Sequence, residues 1–531
     1  MHRLILTTLM VSVLGCGSGE ESQPNPSSSE ANTSSPPAQV GASKADTLIA
    51  EGKRLFDKKK YAAAIEAFSE AIQLDDRNAV AYRERVRAHM FSAGHGEFLS
   101  TFLSSDNTRI IDAGIAVDRP ERRSFQTALA DLEIAIRLDS SNIESYKLQG
   151  RCLMELGDFD RAIAAFGEAI RLAPRDADAY HKRGTGYTPT NDWAKAIDDF
   201  TRAVELDPKM VKSFLSRAMS RSMAGDMAGS LADFDTAIRL DGTNSRAYDN
   251  RAVVYLKMRE YEKAVASSTN AIELAPRKWS PYYNRGIAYL GLEQPSKTIA
   301  DFSKTISLDS GNYGARVNLA ATYMSTGLFS KALIEIDTAI KLAPNVAEMH
   351  RIRSEMLAKM DRPDEARAAQ RKTKWLRQLA PLDQAVTRQP KDPQSYQRRA
   401  VHYADDEQWE NAISDFNKAL QLDSDSVDAL VERAKAWLSQ GKFQKAIDDC
   451  EQALKHSTHR EIYSVRGDAY LGLGDCDRAI ADYEKARRFD TQVAQAFLMR
   501  SKKRKAAGET SAAEKDLQHA IAIDPSLSGL R

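Results

Sequence analysis

His456 and His459 stand three residues apart, a spacing at which two imidazoles on adjacent turns can share a metal ion. No carboxylate or thiol accompanies them at ligand spacing, so they read as solvated histidines at the end of a structural unit. The adjacent carboxylates Asp198-Asp199 and Asp448-Asp449 have the composition of an acid–base pair. They recur in register with Arg183, Arg217, Arg433 and Arg466, and that register predicts inter-helix ion pairs instead of catalysis. Four cysteines are present, Cys16, Cys152, Cys450 and Cys476, with no CxxC and no disulfide framework. Cys450 reads as a packing residue and Cys476, between two helices, as an exposed thiol. No nucleophile elbow, phosphate-binding glycine loop, HExxH or zinc-ligand spacing occurs. The chain is therefore expected to be no enzyme and to need no cofactor or metal.

The register that aligns those charges is the strongest signal in the chain. Gly150, Gly184, Ala218, Ala252, Gly286, Ala320 and Ser354 follow one another at intervals of 34 residues. A fixed period of this length marks one supersecondary unit copied many times, each burying its apolar face only against its neighbours. In the copy from Ala177 to Pro208, Tyr180, Gly184 and Tyr187 share one helical face, and Ala196, Phe200 and Ala203 share another. The small residues let two helix axes approach, the aromatics fill the space beside them, and Pro208 ends the unit.

An aromatic, a small residue, Tyr, Ala, Phe, Ala and a final Pro over 34 residues resembles the tetratricopeptide repeat. Thirteen copies are counted, with small first-helix residues running from Gly52, Val86 and Gly150 to Ala400, Ala434, Gly467 and Ser501. The resemblance implies an all-α fold, an α-solenoid of about thirteen helix-turn-helix units from Ala45 to Pro525. Two places break the rhythm. Val86 and Ala128 are 42 residues apart where 12 is usual, which predicts an insert from about residue 94 to 123 inside the second unit. Its apolar residues Phe98, Leu99, Phe102, Leu103, Ile110 and Ile111 predict that it packs on units one to three. In the ninth unit the second helix runs long through Trp375 toward Pro381. That segment is either a joint between nine units (45–380) and a linker with four more (381–531), or a degenerate repeat with an elongated helix.

With 75 basic and 74 acidic residues in 531, the chain argues against a nucleic-acid binder working through a general basic surface. Residues 1–15 are different text: Arg3, then an apolar run from Leu4 to Leu14, too short to span a bilayer. They read as a signal peptide. Val13-Leu14-Gly15-Cys16 resembles the lipobox of bacterial lipoproteins, which implies a lipidated Cys16 as first mature residue; the alternative is a plain secretory signal. Residues 16–44, rich in Ser, Pro, Gly and Asn, are expected to form a tether without a core. Together these predict a lipoprotein of the bacterial cell envelope, held at a membrane outside the cytoplasm.

The resemblance also implies a concave groove lined by the first helices. Numbering each unit from the residue equivalent to Ala177, positions 5, 6, 9, 12 and 13 face inward. In units one to four these include Lys53, Arg83, Arg87, Lys147, Arg151, His181 and Lys182, either a basic run along the groove or ordinary solvated surface. In units five to eight they become apolar, with Leu215, Met219, Met223, Val253, Leu256, Tyr283, Ile287, Leu290, Val317 and Met324. Asn250, Asn284 and Asn318, the sixth residues of three successive units, run through this strip. Some tetratricopeptide superhelices hold an extended peptide by such an asparagine ladder, because an amide both donates to and accepts from a peptide bond. The other reading is helix packing alone. The expected function is a non-enzymatic scaffold that binds protein or peptide partners at the envelope, its partner and oligomeric state unspecified. The rival is a structural spacer or accessory subunit of an envelope assembly, secretion or polysaccharide machinery with an empty groove.

Overall fold

The structure, a computed structural model, describes residues 43–92 and 120–530. Among them are 26 α-helices in consecutive pairs, a closing 3-10 turn over Pro525–Leu530, and no strand. This is an α-solenoid, as the period implies. The expected signal peptide, Cys16 and the apolar insert residues Phe98 to Ile111 lie outside the described residues.

Three recurring features turn the repeat sequence into helix pairs. The second-helix aromatic is fully buried against the first helix: a Cβ added to Gly184 would sit 2.8 Å from the Phe200 ring, and one added to Gly150 would sit 2.5 Å from Phe166. Glycine there sets how closely the helix axes approach. In the twelve units whose inter-helix turn lies among the described residues, the turn uses a left-handed residue fifteen places into the unit. Gly157, Gly225, Gly327, Gly441, Gly474 and Gly508 fill it in six of these twelve, and Lys59, Asn191, Arg259, Glu293, Asp361 and Glu407 in the other six. Finally, the carboxylate-to-arginine register is realised as a clasp inside eight units.

In that clasp an arginine of the first helix donates through Nε and Nη2 to both oxygens of an aspartate on the second. The pairs are Arg85–Asp131, Arg183–Asp199, Arg217–Asp233, Arg285–Asp301, Arg399–Asp415, Arg433–Asp449, Arg466–Asp482 and Arg500–Asp516, all bonds being 2.6–2.9 Å. Several of these arginines also reach back with Nη1 to the preceding unit, Arg285 to Thr269 and Arg433 to Asn417. The Asp198-Asp199 and Asp448-Asp449 pairs thus supply one buried member each to a bidentate ion pair. In the interrupted second unit Arg85 finds its aspartate 46 residues on, where 16 is usual, so the pair closes in register across the insert.

The chain divides into two compact units, residues 1–344 and 345–531. The division falls before the ninth repeat, not at the elongated helix. The expected linker from residue 381 is helical: one helix spans Pro363–Arg388, with Pro381 inside it on an exposed face. Its two halves do different work. The first half packs on the helix Ala347–Lys359. The second repeats the second-helix pattern without a first helix of its own, since Leu382, Ala385, Val386 and Pro390 stand to Arg399 as Phe200, Ala203, Val204 and Pro208 stand to Arg217. Asp383 accordingly takes the place of Thr201, accepting from Arg399 Nη1 at 2.9 Å while Thr201 accepts from Arg217. Trp375, midway along, closes the joint by stacking on His402 at 4.9 Å and donating from Nε1 to the His402 carbonyl at 3.1 Å.

Two readings of single residues change. Cys476 is buried at the start of the helix Cys476–Ala486, with burial raising its thiol pKa, and is not an exposed thiol. Cys450 is buried where other units carry the core aromatic, as expected. His456 does have an acidic neighbour, Asp425, with Nε2 at 3.6 Å from Oδ1.

Candidate functional site

The first helices of successive units meet along one face, and at two joints the residue at position 6 bonds to position 5 of the unit before. Asn284 donates from Nδ2 to Asp249 Oδ1 at 2.7 Å, and Asn318 donates to Tyr283 Oη at 3.1 Å. Asn318 is only 1% exposed. These two amides are therefore occupied by inter-repeat bonds, and the three-member ladder is corrected to its first member. Asn250 differs because position 5 of the preceding unit is Leu215, which offers no hydrogen bond. It stays half-buried on the helix Ser245–Lys257.

The apolar strip divides the same way. Tyr283, Ile287, Val317 and Leu256 are buried between the helices, so they belong to the core and cannot line a binding surface. Leu215, Met219, Val253, Leu290 and Met324 are half-buried, and Met223 is 43% exposed. What stays partly accessible in units five and six is the face that carries Leu215, Met219 and Met223 on the helix Val211–Ala224 and Asn250 and Val253 on the helix Ser245–Lys257, with Leu215 and Met219 also packing on the core beneath it. Lys257 closes its end, donating to Ser222 Oγ at 3.1 Å with its pKa lowered by burial.

The basic run of units one to four is largely neutralised. Glu84 sits 2.8 Å from Arg87 and 3.9 Å from Lys53. Lys147 is flanked by Glu144, Asp176 and Asp178 at 3.2, 3.1 and 3.5 Å. Asp178 also pairs with Lys182, and with Lys212 at 2.8 Å, and these lysines hold its carboxyl far below the usual range. His181 is not a cation: burial, reinforced by Lys212 and Lys182, lowers its pKa to about 3, and its Nδ1 lies 3.0 Å from Ser213 Oγ. Arg83 and Arg151 are half-buried. Beside Arg151, burial pushes the Glu155 carboxyl up to about 7, a half-buried group that the sequence reading passed over. Some of these partners lie three or four residues away on the same helix and others about one repeat away, Lys212 being 34 residues from Asp178. Comparing equivalent positions of adjacent copies would have found several of them.

A stack of helix pairs joined in this way defines the class: a helical repeat protein whose surface is made by the succession of units. Four segments of the chain are recognised as repeats of the tetratricopeptide type. Models described as TPR repeat and tetratricopeptide repeat match residues 150–188, 245–278, 398–459 and 461–490. Hsp70-Hsp90 organizing protein 1 of Glycine max is 29% identical over 131 residues, 23% of this chain and 22% of that protein. Hsp70-Hsp90 organizing protein of Triticum aestivum is 29% identical over 138 residues, 23% of this chain and 21% of that protein. The chain thus spans about a fifth of the length of these relatives. Among solved structures, a tetratricopeptide repeat protein from Parabacteroides merdae is 20% identical with a TM-score of 0.39, covering 52% of this chain and 98% of that one.

Proposed function

We propose that the chain is a non-enzymatic adaptor that binds an extended segment of a partner protein on the first-helix face of units five and six, and is held at a bacterial envelope membrane through a lipidated Cys16. The observation that carries this reading is the partly accessible apolar set of Leu215, Met219, Met223 and Val253 on two successive first helices, the second of which also carries an amide, Asn250, that the fold leaves uncommitted while its counterparts at 284 and 318 are bonded. Apolar side chains supply contact area, and an amide pairs with the backbone of any sequence. The organizing proteins that share its repeats carry names consistent with bringing other proteins together. Units seven and eight, whose inward residues are absorbed in packing, then act as a spacer.

Binding tests this directly. Met219→Glu with Asn250→Ala should release the partner captured from membranes by the intact chain, with helix content and melting unchanged. Retention of the partner at wild-type level would contradict the assignment. Separately, Cys16→Ser should leave the chain uncleaved or move it out of the membrane fraction, and unchanged processing and partitioning would contradict the anchor.

A further inference from the structure

The first inter-helix turn carries a dense run of positive charge. Five of the eight residues from Lys53 to Lys60 are basic, against Asp57 alone, in a chain whose formal net charge is +1. Lys58, Lys59 and Lys60 are exposed, and among the described residues no carboxylate pairs with them. They stand at the C-terminal end of the helix Lys44–Asp57, where the helix dipole favours cations. Beneath the turn lies a half-buried aromatic group, with Phe56 5.4 Å from Tyr61 and 5.0 Å from Phe91, and the Arg87 guanidinium 5.1 Å over the Phe56 ring. Lysine ammoniums around amphipathic aromatics are the composition that settles at an anionic lipid interface, charge toward headgroups and rings toward the acyl boundary.

We infer that this turn, Lys58 to Lys60 with Arg54, seats the first repeat on an anionic phospholipid surface. The inference rests on the proposed anchoring through Cys16, which it deepens: Ser43 lies 27 positions after Cys16, a span of at most about 95 Å for an extended chain. A lipid anchor alone leaves the repeats anywhere within that radius. A basic turn at the end of the tether docks the first repeat, and the stack begins at the bilayer. The other basic run, Arg500 to Lys505, is less suited. Arg500 and Arg504 are committed to Asp516 and Asp477, and the run lies at the far end of the sequence from the anchor.

The test uses the full chain with vesicles of phosphatidylcholine alone and of phosphatidylcholine with phosphatidylglycerol. The intact chain should bind the anionic vesicles more tightly, and that gain should disappear as salt rises. Lys58→Glu with Lys59→Glu and Lys60→Glu should remove the gain, a loss of about tenfold or more, since each cation near such a surface contributes substantially. The same three positions changed to Gln give the answer without added repulsion should the Glu variant fold poorly. Lys502→Glu with Lys503→Glu and Lys505→Glu, an equal change of net charge, should keep the gain. A gain that survives in both variants of the first turn, or is lost equally in the C-terminal variant, overturns the inference. So does an intact chain with no preference for anionic vesicles, the outcome expected if the turn instead meets an acidic protein. Binding to neutral vesicles reports on the anchor alone: its absence in the processed chain defeats the Cys16 reading and leaves the charge comparison standing.

Discussion

Arg466 and Asp482 close the twelfth unit from the inside: Nε donates to Oδ2 at 2.7 Å and Nη2 to Oδ1 at 2.9 Å, with the aspartate side chain only 3% exposed. The guanidinium plane lies between Tyr463 and Tyr470, 5.8 and 5.7 Å from their ring centroids. A buried carboxylate without its partner is costly, whereas a pair replaced by apolar residues of similar size is close to neutral. Arg466→Met should therefore destabilise this unit by about 3 kcal/mol, and Arg466→Met with Asp482→Leu should recover much of that loss. Because repeat arrays unfold in segments, amide exchange of residues 460–486 is the measurement to use. Equal protection loss in the single and double variants would show that the clasp does not act as a pair.

Close approach in the third unit depends on Gly150. Its replacement by Ala should cost about 1–3 kcal/mol, because a new Cβ 2.5 Å from the Phe166 ring forces the helices apart. Gly150→Ala with Phe166→Leu should regain part of it. In the fifth unit Ala218 stands at the equivalent position with Phe234 fully buried, so an alanine is accommodated there. A Gly150→Ala variant as stable as the parent would mean the same freedom exists here.

Ser268 occupies the position where Phe200 and Phe302 fill other units, and its Oγ is buried without a hydrogen-bond partner, as is that of Ser230. Ser268→Ala and Ser230→Ala should each raise stability by about 1 kcal/mol, since a buried unpaired hydroxyl is removed at little cost in packing. Lower thermal stability in either variant would indicate that the hydroxyl is satisfied in solution.

Glu155 gives stability a pH dependence of defined sign. Its carboxyl rises from 4.5 to about 7 because burial penalises the charged form, so the native state holds the proton more tightly than the unfolded chain. Its contribution is complete below pH 4.5 and is lost as pH rises through about 7. Glu155→Gln should therefore leave stability at pH 4 nearly unchanged and raise it at pH 8 by about 1 kcal/mol. A pH-independent difference between variant and parent would remove Glu155 as the cause.

How much of this was legible follows the physics of a repeat. The helix pairs, the Asp199–Arg183 and Asp449–Arg433 pairing and the burial of Cys450 were readable because each residue's partner sits at a fixed offset within one copy. The fate of the asparagines was not. Whether an amide at position 6 faces a ligand depends on what the previous copy presents at position 5, and Asp249, Tyr283 and Leu215 give different answers at 284, 318 and 250. The basic groove failed for a related reason, since Glu84 and Asp178 neutralise it from neighbouring positions. The fused helix Pro363–Arg388 hid behind Pro381, which ordinarily ends a helix; the pattern Leu382, Ala385, Val386 and Pro390 was present but had no first helix to announce it.

That distinction among the asparagines is itself testable. Asn318→Ala should lower stability by about 1–3 kcal/mol, because it leaves the buried Tyr283 hydroxyl unpaired, whereas Asn250→Ala should leave melting unchanged and weaken partner binding by about 0.5–1.5 kcal/mol. Thermal denaturation and binding, measured on both variants, give opposite orders if the assignment holds.

The central claim is that partners bind at units five and six. It is tested most directly by placing a photo-crosslinking residue at Met223, 43% exposed on the first helix of unit five, and the same residue at Ile334, 64% exposed on a second helix. Irradiation in intact membranes should yield a discrete adduct from position 223 and little from 334, and the adduct should fade when Asn250→Ala is added. Equal yields from the two positions, or an adduct at 223 indifferent to Asn250, would contradict the account.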